Sequence, residues 1–369
     1  MKEKLLRELA AKSIVIMLGT MVTSYGMGTA SVANASFGEN VQVDSARVIS
    51  QEEAKDLGAE KIYTNLETGM VVNQLAEPYL VIEKPESKSY EVSMEDLYME
   101  RSLRLSIYGL EDKSFTRGSL SRGNEEDTSI KKVSFVYDYV PEAFSYTAVY
   151  EVEFNSLYAY QIYEDKEAIY IELWEPSQLY DRILVVDAGH GGNDIGTYSP
   201  DMKYYEKDIN LSIVKHLKKL LDKEEIKVYY TRLSDEKVYL NPRIDLANEL
   251  KTDLLISIHC NSSDSSTAKG CEVLYGTKNQ KGLEFDSKAL AELCLKSMTE
   301  NGNLANRGLV KNNEIYIIGK SKVPVALIET GFMSNESDLE FIIKKENQEK
   351  MAEYIYQAVM KAFSQLETE

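Results

Sequence analysis

The sequence predicts an α/β domain, an open and mostly parallel sheet with helices on both faces, preceded by a small all-β, sandwich-like domain. Three observations predict this. In the first half, residues 104–108, 132–137, 148–154 and 168–173 alternate apolar and polar side chains, the period of half-exposed antiparallel strands. In the second half, residues 183–186, 254–258 and 325–328 are unbroken apolar runs separated by helical patterns. Such runs read as strands buried on both faces of a parallel sheet. Each run also stops at chemistry: Asp187 and His190 after the first, His259 after the second, Glu329 after the third. Ligands of such sheets gather beyond the carboxyl ends of the strands, so residues far apart in sequence are delivered to one edge.

In the first half, turn-forming stretches at residues 122–124 and 164–166 separate the alternating segments. Residues 36–180 contain neither histidine nor cysteine, which suits a binding or spacing module better than a second enzyme. Glu175-Pro176-Ser177 closes the last strand and marks a boundary. The expected organisation is a signal peptide or membrane anchor over residues 1–35, a linker over 36–61 with a short helix at 51–57, a β-rich domain over 62–176 and an α/β domain over 181–369.

The second half changes period. Residues 207–221 set Ile209, Ile213, Leu217, Leu220 and Leu221 along one helical face. A strand is expected over 226–231, and a helix over 242–250 with Pro242 in its first turn. Further strands are expected over 270–275 and 314–318, and helices over 283–299 and 347–365.

Composition bounds the function. At 369 residues the chain has room for two domains, and 43% hydrophobic with 28% charged residues describes a folded protein. A net charge of -18 argues against a nucleic-acid partner, whose phosphates need a basic surface. Residues 36–180 hold 28 acidic against 13 basic side chains, whereas residues 181–369 hold 30 against 25. Lys2, Lys4, Arg7 and Lys12 precede an uncharged stretch over residues 13–30, and Ala33-Asn34-Ala35 has the form of an export cleavage site. An uncleaved anchor through residues 13–30 is the rival reading. Either one puts the remaining chain outside the cytoplasmic membrane, secreted or associated with the envelope. Cys260, Cys271 and Cys294 are an odd set and are expected as buried free thiols. Neighbouring strand residues face opposite ways, so Cys260 should point away from whatever His259 serves.

His190 lies between Asp187 and Gly191-Gly192, and Glu206 opens the next helix. The helix dipole favours a carboxylate there without any metal. With His190 and His259, however, Glu206 completes the two-imidazole, one-carboxylate set that recurs at catalytic zinc.

The stretch over residues 186–196, the helix start over 206–211, Thr231-Arg232, Arg243 with Ala247-Asn248, Ser257-Ile258-His259-Cys260-Asn261 and residues 328–335 resemble, in their order, zinc-dependent N-acetylmuramoyl-L-alanine amidases of type 3. The resemblance runs from residue 183 to the carboxyl end. It implies that His190, Glu206 and His259 bind one Zn2+ and that Glu329 is the catalytic glutamate. The implied reaction is hydrolysis, in peptidoglycan, of the amide joining N-acetylmuramic acid to L-alanine of the stem peptide. Ala188 and Cys260 depart mildly from the family pattern. Between Gly276 and Leu283 there is no room for the long occluding helix that some members carry. Arg243, Arg307 and Asn261 are candidate substrate contacts, Arg243 and Arg307 having internal ion pairs as the alternative. Asp187 is expected as a turn residue, and His216 as a surface or satisfied histidine. The β-rich half is loosely similar to the AMIN modules that accompany such amidases, and is expected to hold a monomeric enzyme at the wall, with any activator protein unspecified. A zinc peptidase acting at another stem-peptide bond, and an inactive wall-binding regulator, are the competing readings.

Overall fold

The computed structural model describes residues 14–15, 62–75, 78–84, 90–122, 128–280, 282–302 and 304–367. Apart from Ile14–Val15, the expected export segment, and with it the linker and its helix over 51–57, lies outside the described residues. The chain divides into two compact units, one ending at Leu179 and the other beginning at Tyr180.

The first unit is built from β1 (Ile14–Val15), β2 (Tyr63–Asn65), β3 (Val71–Val72), β4 (Pro78–Glu83), β5 (Glu91–Leu97), β6 (Ser102–Leu110), β7 (Leu120–Arg122), β8 (Ile130–Val140), β9 (Ser145–Phe154), β10 (Ala159–Glu164) and β11 (Ala168–Trp174), followed by the short helix α1 (Pro176–Leu179). One sheet has the order β1-β5-β6-β9-β8 and the other β3-β2-β10-β11-β4-β7. Period-two alternation explains how they meet. Leu103, Leu105 and Ile107 of β6 and Tyr150, Val152 and Phe154 of β9 share one core with Leu80, Ile82, Ile169 and Ile171 of the facing sheet. Each fully buried aliphatic side chain here contributes roughly 1.5–3 kcal/mol. β11 is buried on both faces, because Ala168 and Tyr170 meet Val72, Leu75 and Tyr163 in a second, smaller cluster. That double burial explains why the run over 168–173 is more apolar than strict alternation requires.

The second unit contains β12 (Ile183–Ala188), α2 (Glu206–Leu221), β13 (Lys227–Tyr230), α3 (Leu240–Leu250), β14 (Leu254–Asn261), β15 (Cys271–Tyr275), α4 (Ser287–Gly302), β16 (Asn306–Lys311), α5 (Tyr316–Lys320), β17 (Val325–Phe332), α6 (Glu336–Ile342) and α7 (Lys345–Leu366). The sheet order is β13-β12-β14-β17-β15-β16. The first four strands are parallel, β15 runs antiparallel to β17, and β16 is parallel to β15. Leu184, Val186, Ile256, Ile258, Ala326 and Ile328 pack beneath apolar faces of α2, α4 and α7. The intervening strand residues face the other way, toward the side where α3 meets β12 and α5 meets β17. The sheet is therefore covered on both faces, as its apolar runs require.

One expectation is corrected. The strand expected over 314–318 is instead the helix α5, and the edge strand lies earlier, at β16. The Asn312 side chain accepts hydrogen bonds from the N–H groups of Glu314 and Ile315 at 2.9 and 3.3 Å, which turns the chain and starts a helix where alternation suggested extension. α6, which the periodicity did not reveal, is capped by Asn335, whose side chain accepts from the Asp338 N–H at 3.1 Å. The described residues of 276–286 contain no helix. All three cysteines are buried and free, and Cys260 joins the core beneath the sheet.

Candidate metal centre at the carboxyl edge of the sheet

The first buried strand ends in a strained turn. His190 has φ 62, the left-handed region that costs a non-glycine residue about 1–3 kcal/mol. Two buried arginines hold the turn. Arg232 Nε donates to the Ala188 carbonyl at 2.9 Å and its Nη2 to that of Gly189 at 2.9 Å. Arg243 donates to the carbonyls of Ala188 and His190, each at 2.7 Å. A side chain at Gly189 would run into the His259 ring, so the turn can press against that imidazole only as glycine.

Asp187 is a fully buried strand residue, which corrects its expected place in a turn. It accepts from Arg243 at 2.6 Å, from the Ser257 hydroxyl at 2.6 Å and from the Thr231 hydroxyl at 2.7 Å. Burial pushes its carboxyl up, but Arg243, aided by His259 and the two hydroxyls, outweighs this and holds it below the usual carboxylate value. Of the two readings of Arg243, the structure takes the internal ion pair: the residue is 3% exposed, and its guanidinium donates to Asp187, to the Ala188 and His190 carbonyls of the turn and to the Val238 carbonyl.

Glu206 opens α2 and is 3% exposed. Its carboxylate turns away from its own helix terminus. Oε2 accepts from the Thr197 N–H at 2.8 Å, and Oε1 accepts from the Cys260 N–H at 3.1 Å and from Asn210 at 3.2 Å. The same Oε1 lies 3.2 Å from His190 Nε2 and 2.9 Å from His259 Nδ1. One donor atom from each of the three residues lies within 4.8 Å of the others, and the two imidazole centroids are 5.1 Å apart. His190 Nδ1 is 2.9 Å from Asp194, which orients the ring and leaves Nε2 toward the cluster. Burial lowers the proton affinity of His190, but Glu206 and then Asp194 overcome it and lift its pKa to about 9. Burial likewise opposes, and Glu206 reverses, the shift of His259, which is raised. Glu206 is pushed up by burial and brought well below the usual range by the two imidazoles.

Glu329 pairs in register with His259 across β14 and β17. Its Oε2 is buried with no hydrogen-bond partner. Burial, opposed by His259 and reinforced by Glu206 and Glu272, pushes its pKa up to about 7. Its neighbours on the other side form a chain: Asn261 Nδ2 donates to Glu272 Oε1 at 2.7 Å, and Arg307 Nε donates to Glu272 Oε2 at 3.0 Å. His216 lies apart on α2, 3.7 Å from Glu349.

Sequence reasoning assigned no role to Asp194, Asn210, Arg232 or Glu272. Asp194 and Arg232 stood within recognised motifs, but only the folded geometry gives them partners. Glu272 needed knowledge that β15 runs antiparallel beside β17, which no local pattern carries.

The fold and the site define a class: an α/β protein whose sheet edge gathers two imidazoles and a carboxylate able to hold a metal ion, beside a separate, half-buried glutamate of raised pKa. The second unit belongs to the N-acetylmuramoyl-L-alanine amidase family, whose signature residues 184–361 match. It is 36% identical over 188 residues to the probable cell wall amidase LytH of Staphylococcus saprophyticus, covering 51% of this chain and 60% of that one. It is 33% identical over 173 residues to the N-acetylmuramoyl-L-alanine amidase LytC of Bacillus subtilis, covering 47% of this chain and 34% of that one. It is 32% identical over 184 residues to YqiI of Bacillus subtilis, an uncharacterized protein, covering 50% of this chain and 86% of that one. The chain thus spans less than two thirds of each of these two relatives named as amidases, 60% of one and 34% of the other.

Proposed function

We propose that the second unit is a zinc-dependent N-acetylmuramoyl-L-alanine amidase, hydrolysing the amide between N-acetylmuramic acid and L-alanine of the stem peptide in peptidoglycan. The observation that carries this is the convergence of His190, Glu206 and His259 beside the unpartnered carboxyl of Glu329, in a chain of that family. The donor set fits zinc: two imidazole nitrogens and one carboxylate oxygen are the ligands of open catalytic sites, and the second nitrogen of His190 is already held by Asp194. When bound there, zinc would supply Lewis acidity, polarising the scissile carbonyl and lowering the pKa of water to about 7.

Glu329 is the residue suited to move the proton. A carboxylate whose pKa sits at about 7 accepts a proton from attacking water and returns it to the departing alanine nitrogen at little cost either way. Its Oε2 is buried with no competing hydrogen-bond donor, so that atom is available to the reacting water. Asp187, Arg243 and Arg232 fix the turn that aims His190, and Asn210 fixes Glu206.

The β-sandwich of the first unit is assigned to holding the chain at the wall, and the chain to the cell envelope or its exterior. No helix among the described residues is long and apolar enough to cross a membrane. The test is release of new alanine amino termini from purified peptidoglycan by the full chain, with chelator, with zinc restored, and with Glu329→Ala. Release that needs both zinc and Glu329 supports the reading; soluble fragments cut at any other bond, or no release, would reject it.

A further inference from the structure

Arg307 stands outside the metal-holding and proton-moving residues, yet its guanidinium is more ordered than a surface arginine requires. Nε is tied to Glu272. The guanidinium carbon lies 4.7 Å from the centroid of the Phe332 ring, itself buried. Glu272 is in turn fixed at its other oxygen by Asn261. The side chain remains 37% exposed, and its two terminal nitrogens take no partner among the described residues. A planar guanidinium held at Nε and by one face presents its two-nitrogen edge already oriented, the arrangement that grips a carboxylate through two parallel hydrogen bonds.

Strand register says where that carboxylate would be. His259 pairs with Glu329, Glu329 with Glu272, and Glu272 with Gly308 beside Arg307. Arg307 therefore lies two strand spacings from Glu329, about 10 Å at 4.7–4.9 Å per strand. Glu329 must come within hydrogen-bond reach of the cleaved amide. An extended peptide advances about 3.3–3.6 Å per residue. A stem peptide running across the strand ends from that amide thus meets Arg307 at its second or third residue.

We propose that Arg307 is a carboxylate subsite: it binds a free carboxylate on the second or third residue of the stem peptide and so sets which wall chemistry is cut. The proposal rests on the amidase reading above. Lys269, exposed in the neighbouring cleft with Ser266, Thr267 and Asn335, is the competing cation, but it has neither the stacking nor the tether.

The experiment uses the full chain loaded with zinc and pairs of N-acetylmuramoyl tripeptides that differ only in a free carboxylate or a carboxamide, on the second residue in one pair and the third in the other. In one pair the carboxylate form is expected to have a KM about tenfold lower, the size of one charge-assisted contact. Arg307→Ala should erase that preference by raising KM with kcat nearly unchanged. Arg307→Lys should restore part of it, and Lys269→Ala should leave it intact. The proposal is overturned if the wild-type protein shows no preference in either pair, or if Arg307→Ala slows both members equally. If the wild-type protein cuts none of the probes, the amidase reading fails instead. Calorimetric titration of the same probes into wild-type and Arg307→Ala protein then decides the role of Arg307 separately.

Discussion

The two units bury charge very differently. Among the described residues of the first unit, Glu172 is the one buried charged side chain, and its other buried side chains are apolar or uncharged polar ones. The second unit buries Asp187, Glu206, Arg232, Arg243 and Asp338, and the first four crowd the carboxyl edge of its sheet. Burying an ion is costly unless geometry and hydrogen bonds compensate, so a fold that concentrates buried ions at one edge gives up stability there. The same contrast recurs within the edge itself. Glu206, ringed by donors, is held ionised, whereas Glu329, paired in register with His259 and with its Oε2 unpartnered, is pushed to about 7. The proposed roles follow that difference: Glu206 to bind the metal, Glu329 to exchange a proton.

The largest effect should come from separating those two glutamates. Glu329→Ala is expected to lower kcat by about 10²–10⁴-fold, the usual worth of a positioned general base, while zinc stoichiometry measured on the purified protein stays unchanged. Loss of zinc together with activity would show that Glu329 serves the metal rather than the proton.

Arg243→Ala removes the partner of a fully buried carboxylate and two of the bonds that hold the His190 turn. Breaking a buried pair of this kind costs about 3–5 kcal/mol, to be read from chemical denaturation of the second unit. A cost below about 1 kcal/mol would mean that Asp187 and Arg243 behave as an exposed pair, and would undo the contrast between the units.

How much of this was legible in the sequence follows the same division. The strands of the second unit were visible because both faces are buried, and their ends pointed to His190, His259 and Glu329. The metal-type set was readable through motif order. What escaped depended on neighbours across the sheet. Asp187 reads locally as a turn residue and Arg243 as either a substrate contact or half of an internal ion pair, and only the packing of α3 against β12 joins them. α5 was read as a strand from the alternation of Ile315, Ile317 and their neighbours, which side-chain capping by Asn312, a local hydrogen bond, outweighs. In the first unit, the long alternating strands were legible, whereas the short β2, β3 and β7 carry too few residues to show a period.

Zinc uptake should expel protons. In the metal-free protein the His190 pKa is raised from 6.5 to about 9. The stability it contributes is therefore fully present below pH 6.5 and lost as pH rises through 9. A metal ligand must be unprotonated, so at pH 7.5 zinc binding should release about one proton from His190 alone, with His259 adding to it. The release should shrink above pH 9. Calorimetry in buffers of different ionisation enthalpy measures it directly, and a heat that does not vary with buffer would contradict the ion-paired apo cluster.

The smallest effect belongs to a neutral buried contact of the first unit. Tyr150 is fully buried between the sheets and its hydroxyl donates to the Thr116 carbonyl at 2.7 Å. Tyr150→Phe keeps the ring and deletes one neutral hydrogen bond. Thr116 is exposed, so its carbonyl can turn to water once the hydroxyl is gone, which places the loss toward the low end of about 0.5–1.5 kcal/mol. Turnover of soluble muramoyl peptides should be unaffected, because the altered bond lies wholly within a unit that contributes no residue to the metal-holding edge. A fall in kcat on those small substrates, with the denaturation midpoint of the first unit hardly moved, would show that the sandwich takes part in the chemistry and would remove the division of labour on which the comparison rests.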